Sequence, residues 1–293
     1  MYKITYRISS LLIKALICLL IPFCVTAKET INWYNISFPP ATIVTGKYQG
    51  KGMNDMILKL SIEKLPEYSH SMKTANTKRV LTKFKIETNA CSGALIKNAE
   101  REKIAYFSVP EVITISHRLI TLTSKAKVFE SYIHSSDKSI SLDYLLKSHQ
   151  ELRLGIADRS YGEKLDTIIT KYKGQKNVYM RSGEDISMGI LEMLNRKRID
   201  YIIEYPFIVI YTWREKGFSR KPHSIPLKET VGYPMGYIGC SKTEFGRQII
   251  NKINTVLKQE KSTERYLGYI EKWLDKSSVQ MLRESGYEDV FLK

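Results

Sequence analysis

The chain has 293 residues, of which 43% are hydrophobic and 26% are charged, and its mean hydropathy is −0.25. This is an ordinary globular composition, and it excludes a disordered, collagenous or coiled-coil protein. Lysine and arginine (46) outnumber aspartate and glutamate (30), so the net charge is +16. Such a charge favours an anionic partner but carries no information about the fold.

The first 27 residues have the three-part layout of a secretory signal peptide. Basic residues lead, an apolar run follows and a small residue ends the segment: Lys3, Arg7, Lys14, residues 15–25 and Ala27. The run is about eleven residues long, too short for the ~20 that span a bilayer, which argues against a membrane anchor. Cys24 leaves a lipoprotein as an alternative, but the bulky Phe23 before it does not suit lipid attachment. We predict cleavage after Ala27.

Cleavage would give a periplasmic protein with a net charge of +13, because the segment removes three basic residues and no acidic one. Export argues against a nucleic-acid partner. The five histidines are scattered and show no metal-ligand spacing, so neither a metal nor a cofactor is predicted. We expect a monomer that binds a small molecule.

Two cysteines, Cys91 and Cys240, remain after cleavage. An even number of cysteines in an oxidising compartment favours a disulfide, which here would close a loop of about 150 residues. Two buried free thiols, which behave as small hydrophobic groups, are the alternative.

The first half of the mature chain reads as short strands separated by helices. Residues 30–36 form a first strand, and Pro39-Pro40 ends that region because proline cannot donate to a ladder. The other predicted elements are a helix from Asn54 or Asp55 to about Leu65, a strand at 88–92, a helical turn after Asn98, an extended segment at 104–108 and a strand at 113–122.

The second half alternates in the same way. Ser160 and Glu163 have the spacing of a capping box at the start of a helix. Strands are predicted at 152–157, 178–180, 200–204 and 236–240, and helices at 160–172, 207–213, 245–257 and 266–274. This alternation predicts an α/β protein with largely parallel sheets.

The order of these elements predicts two lobes and two chain crossings. We assign residues 28–122 with 230–293 to the first lobe and residues 123–229 to the second, with the crossings near 120–126 and 229–235. A cleft between two such lobes is a preferred small-molecule site.

Five motifs, in this order, resemble those of type II periplasmic solute-binding proteins, the family 3 proteins typified by amino-acid receptors of ABC importers. They are the glycine-rich helix start at 50–60, the segment 98–110 (NAEREKIAYFSVP) resembling T-x-E-R…F-S-x-P, the segments 154–156 and 160–162, the strand 198–201, and the returning strand 237–242. The likeness spans nearly all of residues 28–293. It implies a two-lobed type II periplasmic-binding-protein fold, each lobe a mostly parallel sheet flanked by helices. A poorly characterised branch with paired cysteines at these two places would also fit.

The resemblance implies that Arg101 clamps a ligand carboxylate, because a planar guanidinium matches that group and stays charged. A structural ion pair with Glu100, Glu102 or a neighbouring residue is the alternative. The resemblance likewise implies that the backbone amides of Ser160, Tyr161 and Gly162 hold the carboxylate from the second lobe. A plain helix cap without any ligand is the alternative there.

Two departures from the family pattern concern the ligand. Gly93, Ala94 and Ile96 stand where the family has small hydroxyl residues, so their side chains cannot form hydrogen bonds. Tyr205, with Glu204 beside it, stands where the family has the aspartate that holds the ligand's amino group. Strand alternation lets only one of the two face the cleft. An anionic or aromatic ligand is therefore expected instead of a standard α-amino acid.

The resemblance also implies an aromatic wall beside the ligand at Trp33, Tyr34 and Phe38, with core packing as the alternative for each. Alternation again allows only one of Trp33 and Tyr34 to face the cleft.

The expected function is capture of a small carboxylate-bearing or anionic solute for an ABC-type importer. A ligand sensor that signals to a membrane receptor is the second possibility. No G-x-S-x-G, H-E-x-x-H or phosphate-loop motif occurs, and His117 is a lone histidine, so a hydrolytic enzyme on the same fold is the weakest reading.

Overall fold

The computed structural model describes residues 28–182, 186–230 and 232–292, so the predicted signal peptide lies outside the described residues. The strands are β1 (Thr30–Asn35), β2 (Ser69–Thr74), β3 (Ala90–Leu95), β4 (Ala105–Ile113), β5 (Arg118–Leu122), β6 (Leu154–Ala157), β7 (Val178–Arg181), β8 (Tyr201–Glu204), β9 (Pro222–Pro226) and β10 (Met235–Ser241).

Helices connect these strands and cover the sheets. The α-helices are α1 (Met53–Glu63), α2 (Thr77–Ile86), α3 (Ala99–Glu102), α4 (Ala126–Glu130), α5 (Leu142–Ser148), α6 (Glu163–Tyr172), α7 (Ile186–Asn195), α8 (Pro206–Lys216), α9 (Glu244–Glu260), α10 (Glu264–Glu271) and α11 (Lys276–Met281). A π-helix, Leu282–Phe291, follows α11 directly. In the described part of the chain, no helix has both the length and the apolar character needed to cross a bilayer.

The strands form two five-stranded sheets of the same design. The first sheet has the order β2-β1-β3-β10-β4 and the second the order β7-β6-β8-β5-β9. In each sheet the first three strands are parallel and the fourth runs antiparallel to both of its neighbours. The predicted α/β fold with mostly parallel sheets is therefore confirmed.

The antiparallel fourth strand is also the strand that links the sheets. β5 follows β4 of the first sheet but pairs in the second sheet, and β10 follows β9 of the second sheet but pairs in the first. The prediction of one strand at 113–122 in the first lobe is wrong, because residues 118–122 pair with β8 and β9. The first crossing is thus 114–117 and not 120–126, while the second, 227–234, overlaps the predicted one.

Hydrogen bonds join the two crossings to each other. The Thr114 N–H donates to the Pro234 carbonyl (2.9 Å), and Ser116 Oγ donates to the Gly232 carbonyl (2.9 Å). Thr230 Oγ1 donates to the carbonyl of His117 (3.0 Å). The crossings therefore form a paired connection between the sheets.

Cys91 and Cys240 form a disulfide, so the predicted pairing is confirmed. The two residues lie directly opposite each other on β3 and β10, which are antiparallel neighbours, and both are fully buried. The bond ties the strand that returns from the second sheet to the centre of the first. The alternative of two buried free thiols is excluded.

Candidate functional site

A cavity of about 500 Å³ lies between the two sheets. Its first side is formed where β1 and β3 end, by the start of α1 and by the first residues of β10, and its second side by residues that follow β6 and β8. Its lining is mostly apolar with a few polar groups. A cleft of this size and character, at the ends of parallel strands and between two layers, is a typical small-molecule site.

Arg101 lines this cavity, on the first-sheet side. The short helix α3 carries it, and the Asn98 side chain caps that helix by accepting the backbone N–H of Arg101 (3.0 Å). One terminal guanidinium nitrogen of Arg101 donates to the Ile96 carbonyl (2.8 Å). The cap and this bond fix the guanidinium at the rim of the cavity.

The neighbouring carboxylates are paired with other cations. Glu100 accepts from Lys103 (2.7 Å) and Glu102 lies 3.3 Å from Lys97. Among the described residues Arg101 therefore forms no ion pair, and the alternative of a structural ion pair with either glutamate does not hold.

Aromatic rings form the opposite wall of the cavity. Tyr205 and Phe207, on either side of the proline that begins α8, stack with ring centroids 5.1 Å apart. Phe38, from the first-sheet side, meets Phe207 edge-on at 6.1 Å. Behind the wall His117 packs on Tyr205 at 3.7 Å. Burial, with the nearby Arg159 as a smaller contribution, lowers the pKa of His117 to about 3, so this ring is neutral.

A second arginine, Arg159, also lines the cavity, but a carboxylate neutralises it. Its Nη2 donates to Glu204 Oε1 at 2.5 Å. Its guanidinium lies over the rings of Tyr161 (4.6 Å) and Tyr205 (5.9 Å). Glu204 is buried, so burial raises the pKa of its carboxyl and the positive charge of Arg159 opposes that rise. Tyr205 thus faces the cavity while Glu204 lies behind it.

Two buried side-chain oxygens on the cavity wall have no protein partner among the described residues, Asn54 Oδ1 and Thr114 Oγ1. The amide nitrogen of Asn54 donates to Thr42 Oγ1 at 3.4 Å, which turns its carbonyl oxygen away from that bond. Because unpartnered buried polar atoms are costly, both oxygens are suited to bind hydrogen-bonding groups of a ligand.

Gly93 and Ala94 form part of the cavity floor, directly above a buried acid. Glu111 Oε1 accepts the N–H of Ala94, and a Cβ built on Gly93 would lie only 3.2 Å from that oxygen. Ala94 has a φ of 55°, in the left-handed region. Burial of Glu111 raises the pKa of its carboxyl to about 7. The floor therefore contributes backbone and one buried acid, as expected from the absence of hydroxyl side chains there.

The structure does not bring Trp33 and Tyr34 to the cavity. Trp33 is fully buried and donates from Nε1 to His70 (3.0 Å), while the Tyr34 hydroxyl donates to Glu87 (2.9 Å). Helices cover both faces of the first sheet. Successive side chains of β1 point to opposite faces, so Trp33 and Tyr34 pack into the core layers on the two sides of the sheet. The cleft lies beyond the end of β1, where only Phe38 of the three aromatic residues lines it.

The segment 160–162 also lies outside this cavity. Ser160 Oγ donates to Asp166 (2.5 Å), and the N–H of Tyr161, predicted to hold the ligand, donates to the same carboxylate (2.7 Å). Tyr161 and Gly162 line a neighbouring cavity of about 250 Å³, which shares Tyr205 with the first. The predicted capping box is wrong, since α6 begins after Gly162, whose φ is 98°.

Arg159, Phe207, Asn54 and Thr114 were missed by the sequence analysis. A signal was available for Arg159, which follows β6 by two residues, because ligand sites lie at the carboxyl ends of parallel strands. Phe207 was read only as part of a helix. Nothing in the sequence singles out Asn54 or Thr114, since their role depends on which neighbours leave their oxygens unpaired.

No family model matches this chain, and no curated protein matches it. Solved structures do match. The probable amino-acid ABC transporter extracellular-binding protein YtmK of Bacillus subtilis is 15% identical, with a TM-score of 0.61 over 86% of this chain and 100% of that one.

Two further similar structures represent other contexts of the same fold. The substrate-binding domain 2 of Lactococcus lactis GlnP, in an open conformation, is 13% identical with a TM-score of 0.58 over 84% of this chain and 96% of that one. A histidine kinase sensor domain with similarity to periplasmic binding proteins is 12% identical, with a TM-score of 0.56 over the same shares of the two chains. At these identities the likeness establishes the fold alone: the chain has the two-lobed fold of type II periplasmic binding proteins.

Proposed function

We propose that this protein is an exported solute-binding protein, not an enzyme, which captures a small carboxylate-bearing ligand in the cavity between its two sheets for an ABC-type importer. The observation that carries the proposal is Arg101, a fixed guanidinium at the rim of a largely apolar cleft, without an ion-pair partner among the described residues. The proposed lobes are the two sheets with their helices, and the crossings 114–117 and 227–234 are the hinge.

Charge supports a monoanionic ligand. Arg101 stands as an unpaired cation beside the cleft, while the charge of Arg159 is cancelled by Glu204. A carboxylate that reaches Arg101 would accept the guanidinium donors not used by Ile96, and such charge-assisted bonds are among the stronger ones in proteins.

The remaining lining supports a ligand without an amino group. None of the described lining residues is acidic, and burial favours the neutral form of Glu111 beneath the floor, so a positively charged ammonium group would lack a full counter-charge. The apolar walls around Phe38 and Phe207 suit an aromatic or branched aliphatic body, and Asn54 Oδ1 can accept a hydrogen bond from a hydroxyl or amide group. We therefore propose an apolar carboxylate in place of a zwitterionic amino acid.

Isothermal titration calorimetry with two matched pairs of compounds tests this. Phenylpropionate and isocaproate are phenylalanine and leucine without the amino group. We expect each carboxylate to bind more tightly than its amino acid, with simple saturable heats. Continuous heat release that persists after mixing would indicate turnover and would argue against a pure binding protein.

The matched variants are Arg101→Met and Lys103→Met. Lys103 lies two residues away and pairs with the exposed Glu100, outside the cavity. Loss of the bonds from Arg101 should weaken binding of phenylpropionate roughly ten- to a hundredfold, the worth of a hydrogen bond to a charged group. Lys103→Met should bind like the wild type. Equal affinity of Arg101→Met, or tighter binding of the amino acids, would contradict the assignment.

Ligand sensing is the second candidate function, because the same fold occurs in a histidine kinase sensor domain as well as in transport-associated proteins. The two roles differ in the partner that recognises the ligand-bound protein, which is a membrane permease for import and a membrane receptor for sensing. Import predicts that cells lacking the gene take up the bound carboxylate more slowly. Unchanged uptake, together with an altered transcriptional response to that carboxylate, would favour sensing.

A further inference from the structure

A third cavity, of about 180 Å³, lies at the hinge and shares no lining residue with the proposed ligand site. Both crossings and the C-terminal region contribute to it. Its lining includes Ser116, Arg118, Leu227, Thr230, Tyr233 and Met281. None of these residues lines the larger cavity.

Arg118 gives this cavity its chemical character. It is the first residue of β5, and its backbone is held between β8 and β9. The residue is only 5% exposed, yet Nε and Nη1 of its guanidinium have no hydrogen-bond partner in the described part of the chain. A buried cation with unpaired donors is costly, and a counter-ion in the adjoining space would remove that cost.

Among the described residues no hydrogen bond or ion pair joins Arg118 to Asp275, the acidic group whose charge acts on it. The charge of Asp275 acts on Arg118, opposing the burial that lowers the pKa of the guanidinium. Its carboxylate oxygens, however, cap α11 by accepting the Ser278 N–H (3.0 Å) and the hydroxyls of Ser277 (2.6 Å) and Ser278 (3.0 Å). Asp275 therefore moderates the positive charge but leaves the donors of Arg118 free.

Besides Tyr233, whose hydroxyl is hydrogen-bonded to that of Ser285, the other titratable group that lines this cavity is His117. Burial lowers its pKa to about 3, so it is neutral, and its Nε2 has no hydrogen-bond partner among the described residues. The net charge at the cavity thus comes from Arg118 with a partial contribution of opposite sign from Asp275.

We infer that the hinge cavity binds one small inorganic anion of the size of chloride, held by the guanidinium of Arg118. The volume admits such an ion, and Arg118, which lines the cavity, carries guanidinium donors that no described residue accepts. The hydroxyls of Ser116 and Thr230, one from each crossing, already donate to the Gly232 and His117 carbonyls, so Arg118 is the group that holds the anion. This site does not depend on what the larger cavity binds.

Line broadening of the chloride NMR signal tests the inference directly. The wild-type protein is titrated with sodium chloride at constant ionic strength, with sodium gluconate as the replacement salt. We expect broadening that saturates with chloride and that is lost in Arg118→Met. The matched control is Arg79→Met, an exposed arginine at the start of α2, which should broaden the signal as the wild type does. Non-saturating broadening in the wild type, or equal broadening in Arg118→Met, overturns the inference.

Thermal unfolding in the same two salts supplies an independent measurement. In gluconate, Arg118→Met should unfold at the wild-type temperature or above it, since replacing a buried unpaired charge by an apolar side chain removes its desolvation cost. In chloride, the wild type alone should gain stability in a saturable way, as ligand linkage requires. If Arg118→Met fails to fold or is less stable by the same amount in both salts, the guanidinium is a structural partner of Asp275 and the anion site is refuted.

Discussion

Raising the pH should destabilise this protein in part through one buried group, Glu111. The residue lies in β4 with no exposed surface, beneath the cavity floor. Oε1 accepts the N–H of Ala94, while Oε2 has no partner among the described residues. Burial favours the neutral acid, and it raises the pKa of this carboxyl from about 4.5 to about 7.

The size and sign of the effect follow from linkage. Between pH 4.5 and about pH 7 the folded protein keeps a proton on Glu111 that the unfolded chain releases, so raising the pH favours unfolding. The contribution of this proton to stability is complete below pH 4.5 and is lost by about pH 7. Because a difference of one pKa unit corresponds to about 1.36 kcal/mol, the unfolding free energy falls by roughly 3 kcal/mol.

Urea unfolding of the wild type and of Glu111→Gln, from about pH 4.5 to about pH 8 at constant ionic strength, measures it. Glutamine keeps a carbonyl oxygen for the N–H of Ala94 but cannot ionise. The difference in unfolding free energy should therefore shift by roughly 3 kcal/mol in favour of the variant as the pH rises. Glu130→Gln, at an exposed position of α4, should show no such shift. A pH-independent difference for Glu111→Gln would refute the reasoning.

Two further predictions concern the disulfide of the first lobe and the buried ion pair of the second. Reduction of the Cys91–Cys240 disulfide, which joins residues 149 apart, should lower the unfolding free energy by roughly 2–5 kcal/mol, measured by urea unfolding with and without reductant; an unchanged midpoint would contradict this. Glu204→Gln should cost roughly 3 kcal/mol by leaving Arg159 unpaired, whereas the double variant with Arg159→Met should recover most of that loss. If the stability losses of Glu204→Gln and Arg159→Met, measured by thermal unfolding, simply added in the double variant, the coupling between the two residues would be contradicted.

The second sheet shows why much of the fold could be predicted from the sequence. Every residue of β5, β6 and β8 is buried, and the apolar residues of β6 (LGIA) and of the first three positions of β8 (YII) form short runs that indicate buried strands. The switch from β4 to β5 could not be read in the same way. Residues 113–122 (ITISHRLITL) are rich in β-branched residues and contain neither glycine nor proline, so only the pairing partners of residues 118–122 reveal that these belong to the second sheet.

The segment β2 and α2, residues 69–86, was not predicted at all. β2 is an edge strand with no buried residue and the polar sequence SHSMKT, so it carries no apolar periodicity. Its place depends on parallel pairing along the whole length of β1, which is a tertiary property. Polar side chains on an edge strand of this kind discourage pairing with another chain, and they also make its sequence hard to distinguish from that of a loop.

The sequence predicts which residues of the candidate site lie at the cavity where local backbone structure fixes their position. It does not predict which of their side chains form ion pairs or hydrogen bonds. The motif around Arg101 and the strand end at Tyr205 both lie at the cavity, because short helices and strand ends are fixed by local sequence. Whether an arginine there carries a free charge depends on its neighbours. Arg101 lacks an ion-pair partner in the described part of the chain and Arg159 has one, although nothing local in the sequence separates them.

Several buried polar groups with incomplete hydrogen bonding lie where the two sheets meet. Glu111, Thr114, His117, Arg118 and Arg159 each have at least one unpartnered buried atom among the described residues, and all lie at or beside the crossings or the cavity between the sheets. Each such group costs stability that an apolar side chain would not. Unpartnered buried atoms also occur away from the junction, at His149, Gln175, Asn195, Tyr201 and Ser224, so an unpartnered atom alone does not mark a site. The groups at the junction differ because they line or border cavities that a ligand can enter, and proteins tolerate such costs where a site must bind or move.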